Sequence, residues 1–508
     1  MNFNSANIPG VTADSPALPA AALIVIVAAA MAAFAGLATA VVGGMAGDRA
    51  VYYVAVFASL VIGGLVTLTR REPLRFAFLA LIACFPVAAA TLPPGRFGLD
   101  VFQAVMIVLM IGLAAKQLTS PSGSLASFFP TRALLLACVL IIPCIAFSQF
   151  PLWSVREFVF KNLTVYFFLL FALEELKRDG GFERLVLLLS VVLLVMAGGL
   201  FIDHFLHLNL SLRGSNLNQS TISESGLAIY RAGGFFQDPQ RAGAYLACMI
   251  TFLLLLSVRG RFDGMKMRFL VWAAIAVSLG ALVTTISRTA ILACLAVSAV
   301  TLFLFNKWNA VAKLLIMGSV IAVALALALV PMETWLNTVP TTVLERFLYL
   351  SEETEHRLTI WVDTWDMFAD HPITGIGLAS FQPYLIETRP GVFNYYDIGT
   401  TKGISYIPDQ PESGFLKILY EGGVLGSLAA LVVVGDAIRR AMTVLAGDKA
   451  SPDARTELIA ALAALATFGA TFVTLYTPSD GRIAALFAIL LAVILHRSLQ
   501  LERMTQGT

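Results

Sequence analysis

Long apolar runs separated by short charged loops, repeated from one end to the other, constrain this 508-residue chain more than any other feature. Runs of membrane length lie at about 18–42, 51–69, 74–91, 101–116, 133–150, 156–174, 185–205, 242–258, 268–285, 289–306, 311–330, 414–438, 457–476 and 483–499. In lipid a single such run has one stable arrangement, a helix whose backbone polar groups bond within the segment. Composition points the same way: 58% of residues are apolar and 13% charged, against about 25% charged in a soluble domain. The expectation is an all-α polytopic membrane protein with about 14 (12–14) transmembrane helices. The formal net charge of +2 comes from basic residues spread through short loops, so nothing points to nucleic acid. The five cysteines, Cys84, Cys138, Cys144, Cys248 and Cys294, all sit inside apolar runs and read as small buried hydrophobes. Residues 1–17 lack Lys and Arg and the first apolar run is long enough to span, so no cleavable signal peptide is expected.

Loop charge sets the orientation. With the N-terminus in the cytoplasm, the inner loops collect more than half of the 34 Lys and Arg, among them Arg70, Arg71, Lys177, Arg178, Arg259, Arg261, Arg439 and Arg440. Both termini are then cytoplasmic. The chain divides into a tail 1–17, a transmembrane bundle 18–330 with an outer loop at 206–241, a large outer loop 331–412, C-terminal transmembrane helices 413–499 and a tail 500–508. Within the large loop, Thr342 to Asp370 lacks Pro and Gly and spaces Leu344, Phe347, Leu348, Leu358, Trp361, Trp365 and Phe368 helically. It predicts one or two helices against the membrane surface, stopped by His371-Pro372 and the glycines Gly375 and Gly377.

Four positions on the outer side can carry chemistry. Arg231 stands before Gly233-Gly234-Phe235-Phe236, Arg288 follows Thr284-Thr285-Ile286-Ser287, Arg357 precedes Trp361 by one helical turn, and Glu412 opens the span after the large loop. A guanidinium presents two parallel donors and keeps its charge, so two such arginines can hold a diphosphate. The plainer alternative is that boundary arginines reach for lipid headgroups; it weakens at Arg288, whose loop is very short and whose neighbours are small and hydroxylated. Glu412 reads either as a first-turn acid on the helix dipole or as a catalytic or substrate-binding carboxylate. Ser413 is the better helix cap, and Gly414 is a poor helix former. Lys417 and Glu421 stand four apart and read as a local ion pair. His204 and His207 are two ligands and do not make a metal site. Arg156, Glu157 and Lys161 read as local partners. There is no Gly-x-x-x-x-Gly-Lys loop, no His-Glu-x-x-His and no Asp-x-Asp pair, so ATP hydrolysis, zinc proteolysis and a metal–diphosphate clamp have no support.

The order of these pieces resembles a known family. An Arg before Gly-Phe-x-x-x-Pro (Arg231 to Pro239) is followed by Ser287-Arg288, then Arg357 to Trp361, then Pro372-Ile373-Thr374-Gly375-Ile376-Gly377, then Leu-x-x-Leu-x-Glu-x-Gly-x-x-Gly at Leu416 to Gly426. Over about residues 225–430 this is similar to the O-antigen ligase and O-antigen polymerase superfamily, which includes exopolysaccharide polymerases. The resemblance implies a helical fold of the lipid-linked-sugar (GT-C-like) glycosyltransferase class, placed in the bacterial inner membrane with its large loop periplasmic. It implies a donor glycan on undecaprenyl diphosphate, with Arg231 and Arg288 on the diphosphate, and with Arg357, Trp361 and Asp409 as further substrate-binding residues. No metal or other cofactor is implied. Membrane lipids surround the protein, and a chain-length regulator and a flippase are candidate partners. Ligases carry a His-Asn pair where this chain has Glu412-Ser413, so Glu412, or nearby Asp409, takes the place of the family's histidine. That departure favours a polymerase over a ligase acting on lipid A core. The alternative from another class is a lipid-linked oligosaccharide transporter, against which stand the lack of paired repeats and the single dominant outer loop.

Overall fold

The computed structural model describes residues 72–89, 100–119, 128–207, 210, 220–222, 228–236, 238–262, 264–304, 351–388, 411, 413–447 and 450–506. Three of the expected spans, 18–42, 51–69 and 311–330, lie outside these residues. Helix α1 (Pro73–Ala83) belongs to a first compact unit, Met1–Ala83, and opens with an Arg75–Glu72 ion pair of 3.1 Å.

Among its described residues, the second unit, Cys84–Thr508, is helical apart from one short hairpin. In chain order it holds α2 (Val101–Thr119), α3 (Arg132–Ala146), α4 (Pro151–Glu157), a π-helical turn (Phe158–Leu163), α5 (Thr164–Leu176) and α6 (Gly181–Leu206). Strands β1 (Ser220–Ile222) and β2 (Ala228–Tyr230) pair antiparallel, with Ser220 opposite Tyr230. Then come α7 (Pro239–Val258), α8 (Met265–Thr284), α9 (Arg288–Leu304), α10 (Ser351–Asp370), α11 (Phe381–Thr388), α12 (Gly414–Ala446), α13 (Pro452–Thr471) and α14 (Gly481–Gln506). Five of these helices, α6, α7, α8, α12 and α14, are long and apolar enough to cross a bilayer. The run at 156–174 is not one continuous α-helix: α4 passes through the π-helical turn into α5, and Lys161 pairs with Glu157 at 2.9 Å across the junction.

Helix α7 is the centre. It is apolar on every side, and 17 of its 20 residues are buried, as expected of a helix surrounded by others. Helices α8, α9 and α13 pack on it, α6 packs on α8, and α14 joins α5 and α13. Helix α12 lies at the edge and exposes Val424, Leu428, Leu431, Ile438 and Met442. These five recur at helical spacing and form the outward apolar stripe that a lipid-facing helix carries. The molecule is a polytopic, helical membrane protein.

The two ends of this bundle are built differently. Where α6 starts and α7 ends, charged side chains cross-link the helices. Glu457, fully buried, accepts from Arg261 at 2.8 Å and from Arg497 at 2.6 and 2.8 Å, and Arg261 also reaches Glu183 at 2.6 Å. Burial alone would lower the Arg261 pKa; the Glu457 and Glu183 carboxylates outweigh it and hold the guanidinium above its ordinary range. At the opposite end, where α6 stops and α7, α9, α12 and α14 begin, irregular backbone is laid against helix termini.

Helix α12 breaks there. Gly423 takes φ 61° and ψ −158°, so the helix kinks after its third turn. The carbonyls released by the break need partners in a site without water. The segment His371–Leu378, which follows α10, supplies them: Ile376 N–H donates to Tyr420 O (3.1 Å) and Gly377 N–H to Glu421 O (3.0 Å). In return Val424 N–H donates to Pro372 O (2.8 Å) and Leu425 N–H to Ile373 O (3.1 Å), while the Cys144 thiol of α3 donates to Gly422 O (3.2 Å). The ladder requires glycine at Gly377, where φ is 114° and a Cβ would collide with Ser148 and Ser154. Tyr420 then forms a core with Met367, Ile376, Phe381, Tyr384 and Leu385, which docks α10 and α11 on α12. As the sequence predicts, α10 ends at Asp370, before His371-Pro372; residues 342–350 lie outside the described ones.

Candidate functional site

The site is built around the segment Tyr230–Phe236, which runs from β2 to the start of α7. Its first half is held by Asp203, in the last turn of α6. This carboxylate is fully buried; Oδ1 accepts from the Tyr230 hydroxyl at 2.6 Å, and Oδ2 accepts from Gly233 N–H at 2.9 Å and Gly234 N–H at 2.7 Å. Burial, and the carboxylate to which it donates, hold the Tyr230 phenol above its usual pKa range, so it stays a donor. The second half is held by Arg482, in the first turn of α14 and 1% exposed. Asp480 grips the Arg482 fork through both oxygens (2.9 and 2.7 Å), the remaining nitrogen donates to Phe235 O at 3.0 Å, and the guanidinium lies 4.1 Å from the Phe236 ring centre.

Within the first hold, between Tyr230 and Gly233, stands Arg231, itself 6% exposed. Ala232 N–H donates to Thr284 O at 3.2 Å and Arg231 Nε to Thr285 O at 3.4 Å, so the segment lies on the turn that ends α8. That turn is strained: Ile286 adopts φ 50°, a left-handed conformation that costs a β-branched residue about 1–3 kcal/mol. It is kept short by the Thr285 hydroxyl, which accepts from Ser287 N–H at 3.2 Å, and α9 starts at once with Arg288. On the other side, Gly243 of α7 packs so closely on Ser287 that a Cβ would lie 2.8 Å from the serine Cβ. Arg241, 7% exposed, stands one step before Ala242-Gly243 in the same first turn. The motifs around Arg231 and Ser287-Arg288, distant in the chain, therefore meet at one end of the bundle, with the first turn of α7 between them.

The second part lies where α12 begins. Ser413, not Glu412, is the helix cap: its hydroxyl accepts from Leu416 N–H at 3.4 Å. Gly414 N–H donates to Phe472 O at 2.7 Å, and a Cβ at Gly414 would strike the Phe472 ring. Beside this junction a cleft of about 450 Å³ is lined by Trp361, Val362, Trp365, Ser413, Phe415, Leu416 and Val473. All of these except Ser413 are apolar. Lys417 and Glu421 are both buried and pair at 2.6 Å, the local pair that their spacing suggests; Tyr420 also donates to Glu421 at 3.3 Å. The connection from α13 to α14 serves both parts, through Phe472 and Val473 at one end and Asp480 and Arg482 at the other.

Of the residues singled out from sequence, Arg231 and Arg288 belong to motifs that the fold joins, and Trp361 lies in the cleft that also contains Ser413, the neighbour of Glu412. Arg357 stands on α10 one turn before Trp361; its side chain, Glu412 and Asp409 lie outside the described residues. His204 and His207 turn to aromatic rings, His204 on Phe205 at 5.1 Å and His207 on Tyr230 at 4.4 Å. Among the described residues no group of three His, Cys, Asp or Glu gathers as a metal site. Sequence reasoning passed over Asp203 and the Asp480–Arg482 pair. The signal was present, because an ionisable residue inside an apolar span, as in Phe201-Ile202-Asp203-His204, points to a site on its own.

Residues 273–431 match the family model described as O-antigen ligase, in support of the O-antigen ligase and polymerase superfamily. That family is a glycosyltransferase-like enzyme class. The match begins within α8 and ends within α12, so it includes the Ser287-Arg288 turn, Trp361, the His371–Leu378 ladder and the Lys417–Glu421 pair. No curated protein matches the chain.

Proposed function

Starting from the O-antigen ligase family match, we propose that the protein is a membrane glycosyltransferase that extends an envelope polysaccharide on the periplasmic face of the bacterial inner membrane. The donor is a glycan on undecaprenyl diphosphate. Arg231 and Arg288 hold the diphosphate and offset the charge that builds on it as it leaves. Glu412 accepts the proton of an acceptor sugar hydroxyl; the hydroxyl oxygen bonds to the anomeric carbon while the bond from that carbon to the diphosphate oxygen breaks. The apolar cleft beside Ser413 takes hydrocarbon of the lipid carrier, with Trp361 and Trp365 along its wall. Metal is not required in this scheme, because arginine neutralises the leaving group.

The observation that carries the reading is the meeting of Arg231 with the Thr284–Arg288 turn, enforced by the Arg231 contact to Thr285 and the Gly243 contact to Ser287. Strain stored at Ile286 beside Arg288 accords with a turn kept for function rather than stability. The polymerase form is preferred over the ligase form because Glu412-Ser413 stands where ligases have His-Asn.

The test uses the purified full-length protein in liposomes with lipid-linked repeat units. Arg231→Ala and Arg288→Ala should each lower glycan extension by about 10²-fold or more, the scale of losing one donor to a developing anion. Unchanged polymer yield and length in both variants would sink the mechanism. Lipid scrambling without glycan growth by the unaltered protein would point to a transporter, and transfer to lipid A core in place of chain extension to a ligase.

A further inference from the structure

A buried carboxylate near the end of an apolar helix is costly, and Asp203 does not ease that cost with a helix-to-helix ion pair as Glu457 does at the other end. Its three hydrogen bonds all go to one short stretch of backbone and side chain, Tyr230, Gly233 and Gly234. These residues bracket Arg231: one immediately before it, the others two and three after. A group retained for packing alone would not aim every acceptor at the two sides of one arginine. The charge also has a reason, since a carboxylate takes two backbone N–H groups on one oxygen and a hydroxyl on the other, which a neutral apolar residue cannot do.

The far side of the segment is fixed independently. Arg482 holds Phe235 O and lies against the Phe236 ring, and Asp480 locks its fork. With Tyr230 and Gly233 fixed on either side of it, Arg231 turns Nε to Thr285 O.

We propose that Asp203 is a positioning residue: through Tyr230, Gly233 and Gly234 it sets the backbone from which Arg231 meets the diphosphate. The proposal rests on the assignment of Arg231 to the diphosphate, and it adds that the arginine acts from a backbone whose shape is set by a carboxylate on a different helix. Asp203 touches no substrate.

The experiment is a double-mutant cycle on the full-length protein in detergent, read as binding of farnesyl diphosphate and, in liposomes, as kcat and KM for the lipid-linked donor. Asp203→Asn is near-isosteric but removes the charge, and Tyr230→Phe removes one of the three bonds at a half-buried ring; the latter keeps the test open if the former does not fold. Expected is a loss of farnesyl diphosphate affinity of about tenfold for Asp203→Asn and about threefold for Tyr230→Phe, scaled to folded protein, the range of the net worth of one ordinary hydrogen bond. In the Arg231→Ala background each change should cost less than about twofold, because residues that act through one another do not add. Equal losses in both backgrounds would overturn the proposal, leaving Asp203 a general packing residue. So would wild-type affinity and kinetics in both Asp203→Asn and Tyr230→Phe while Arg231→Ala is impaired. Wild-type binding by Arg231→Ala itself would remove the assignment of Arg231 to the diphosphate, and the positioning role with it.

Discussion

The segments Tyr230–Phe236 and His371–Leu378 both lay glycine-bearing backbone against helix termini at the same end of the bundle, and they are secured in opposite ways. The first is held by charged side chains that come from other helices, Asp203 from α6 and Arg482 from α14. The second is held mainly by backbone: four N–H to C=O bonds link it to the broken part of α12, and the Ser148 and Ser154 hydroxyls add one bond each, to Ile376 O and Leu378 O. A backbone ladder depends chiefly on close approach of the two stretches, so its weak points are glycines. A side-chain clamp depends on charge and reach, so its weak points are Asp203, Asp480 and Arg482. The segment that presents a candidate substrate-binding residue is the one whose shape is set by titratable groups, while the segment that docks α10 and α11 has the more rigid form.

Three substitutions separate the two modes. The largest effect is expected from Gly377→Ala, which forces a Cβ onto Ser148 and Ser154 at φ 114°; strain and overpacking together should cost about 3 kcal/mol or more. Thermal unfolding in detergent should show a large fall in the midpoint or no folded protein, and an unchanged midpoint would mean that the ladder does not hold α12. Next, Arg482→Met leaves the Asp480 carboxylate buried without its guanidinium, at a cost of about 3 kcal/mol. It should also loosen the Phe235 carbonyl, read as faster proteolysis near residues 230–240; a stable protein with native proteolysis would show that the clamp is dispensable. Smallest is His371→Ala, which removes a 2.6 Å contact to the exposed Gln149 side chain and should cost less than about 1 kcal/mol. A larger loss there would show that the ladder leans on side chains after all.

The apolar periods read well. The runs at 185–205 and 242–258 become α6 and α7, each extended by a few residues; at α7 the Asp238 cap and Pro239 at the first position open the extra turn. The run at 156–174 gave no sign of its π-helical turn, because hydropathy does not distinguish one helical hydrogen-bond register from another. Gly422-Gly423 was visible as part of a helical motif, but the break there depends on a partner segment that lies earlier in the chain. Arg231 and Ser287-Arg288 stood out singly for their chemistry; their meeting is a matter of tertiary packing around α7 and could not be read from spacing. Asp203 is legible as an ionisable residue inside an apolar span, but its partners at Tyr230, Gly233 and Gly234 are set by tertiary packing. Glu412 remains an assignment by position beside a cap, Ser413, that the structure does locate.

The ladder also has a consequence in time. The amides of Ile376, Gly377, Val424 and Leu425 are each hydrogen-bonded to a carbonyl, so they exchange with solvent only when those bonds open, on a scale of minutes to hours for a stable unit. A transferase turning over at about 1–10³ s⁻¹ completes many cycles between such openings. Any motion that accompanies turnover then has to spare the joint between α10, α11 and α12.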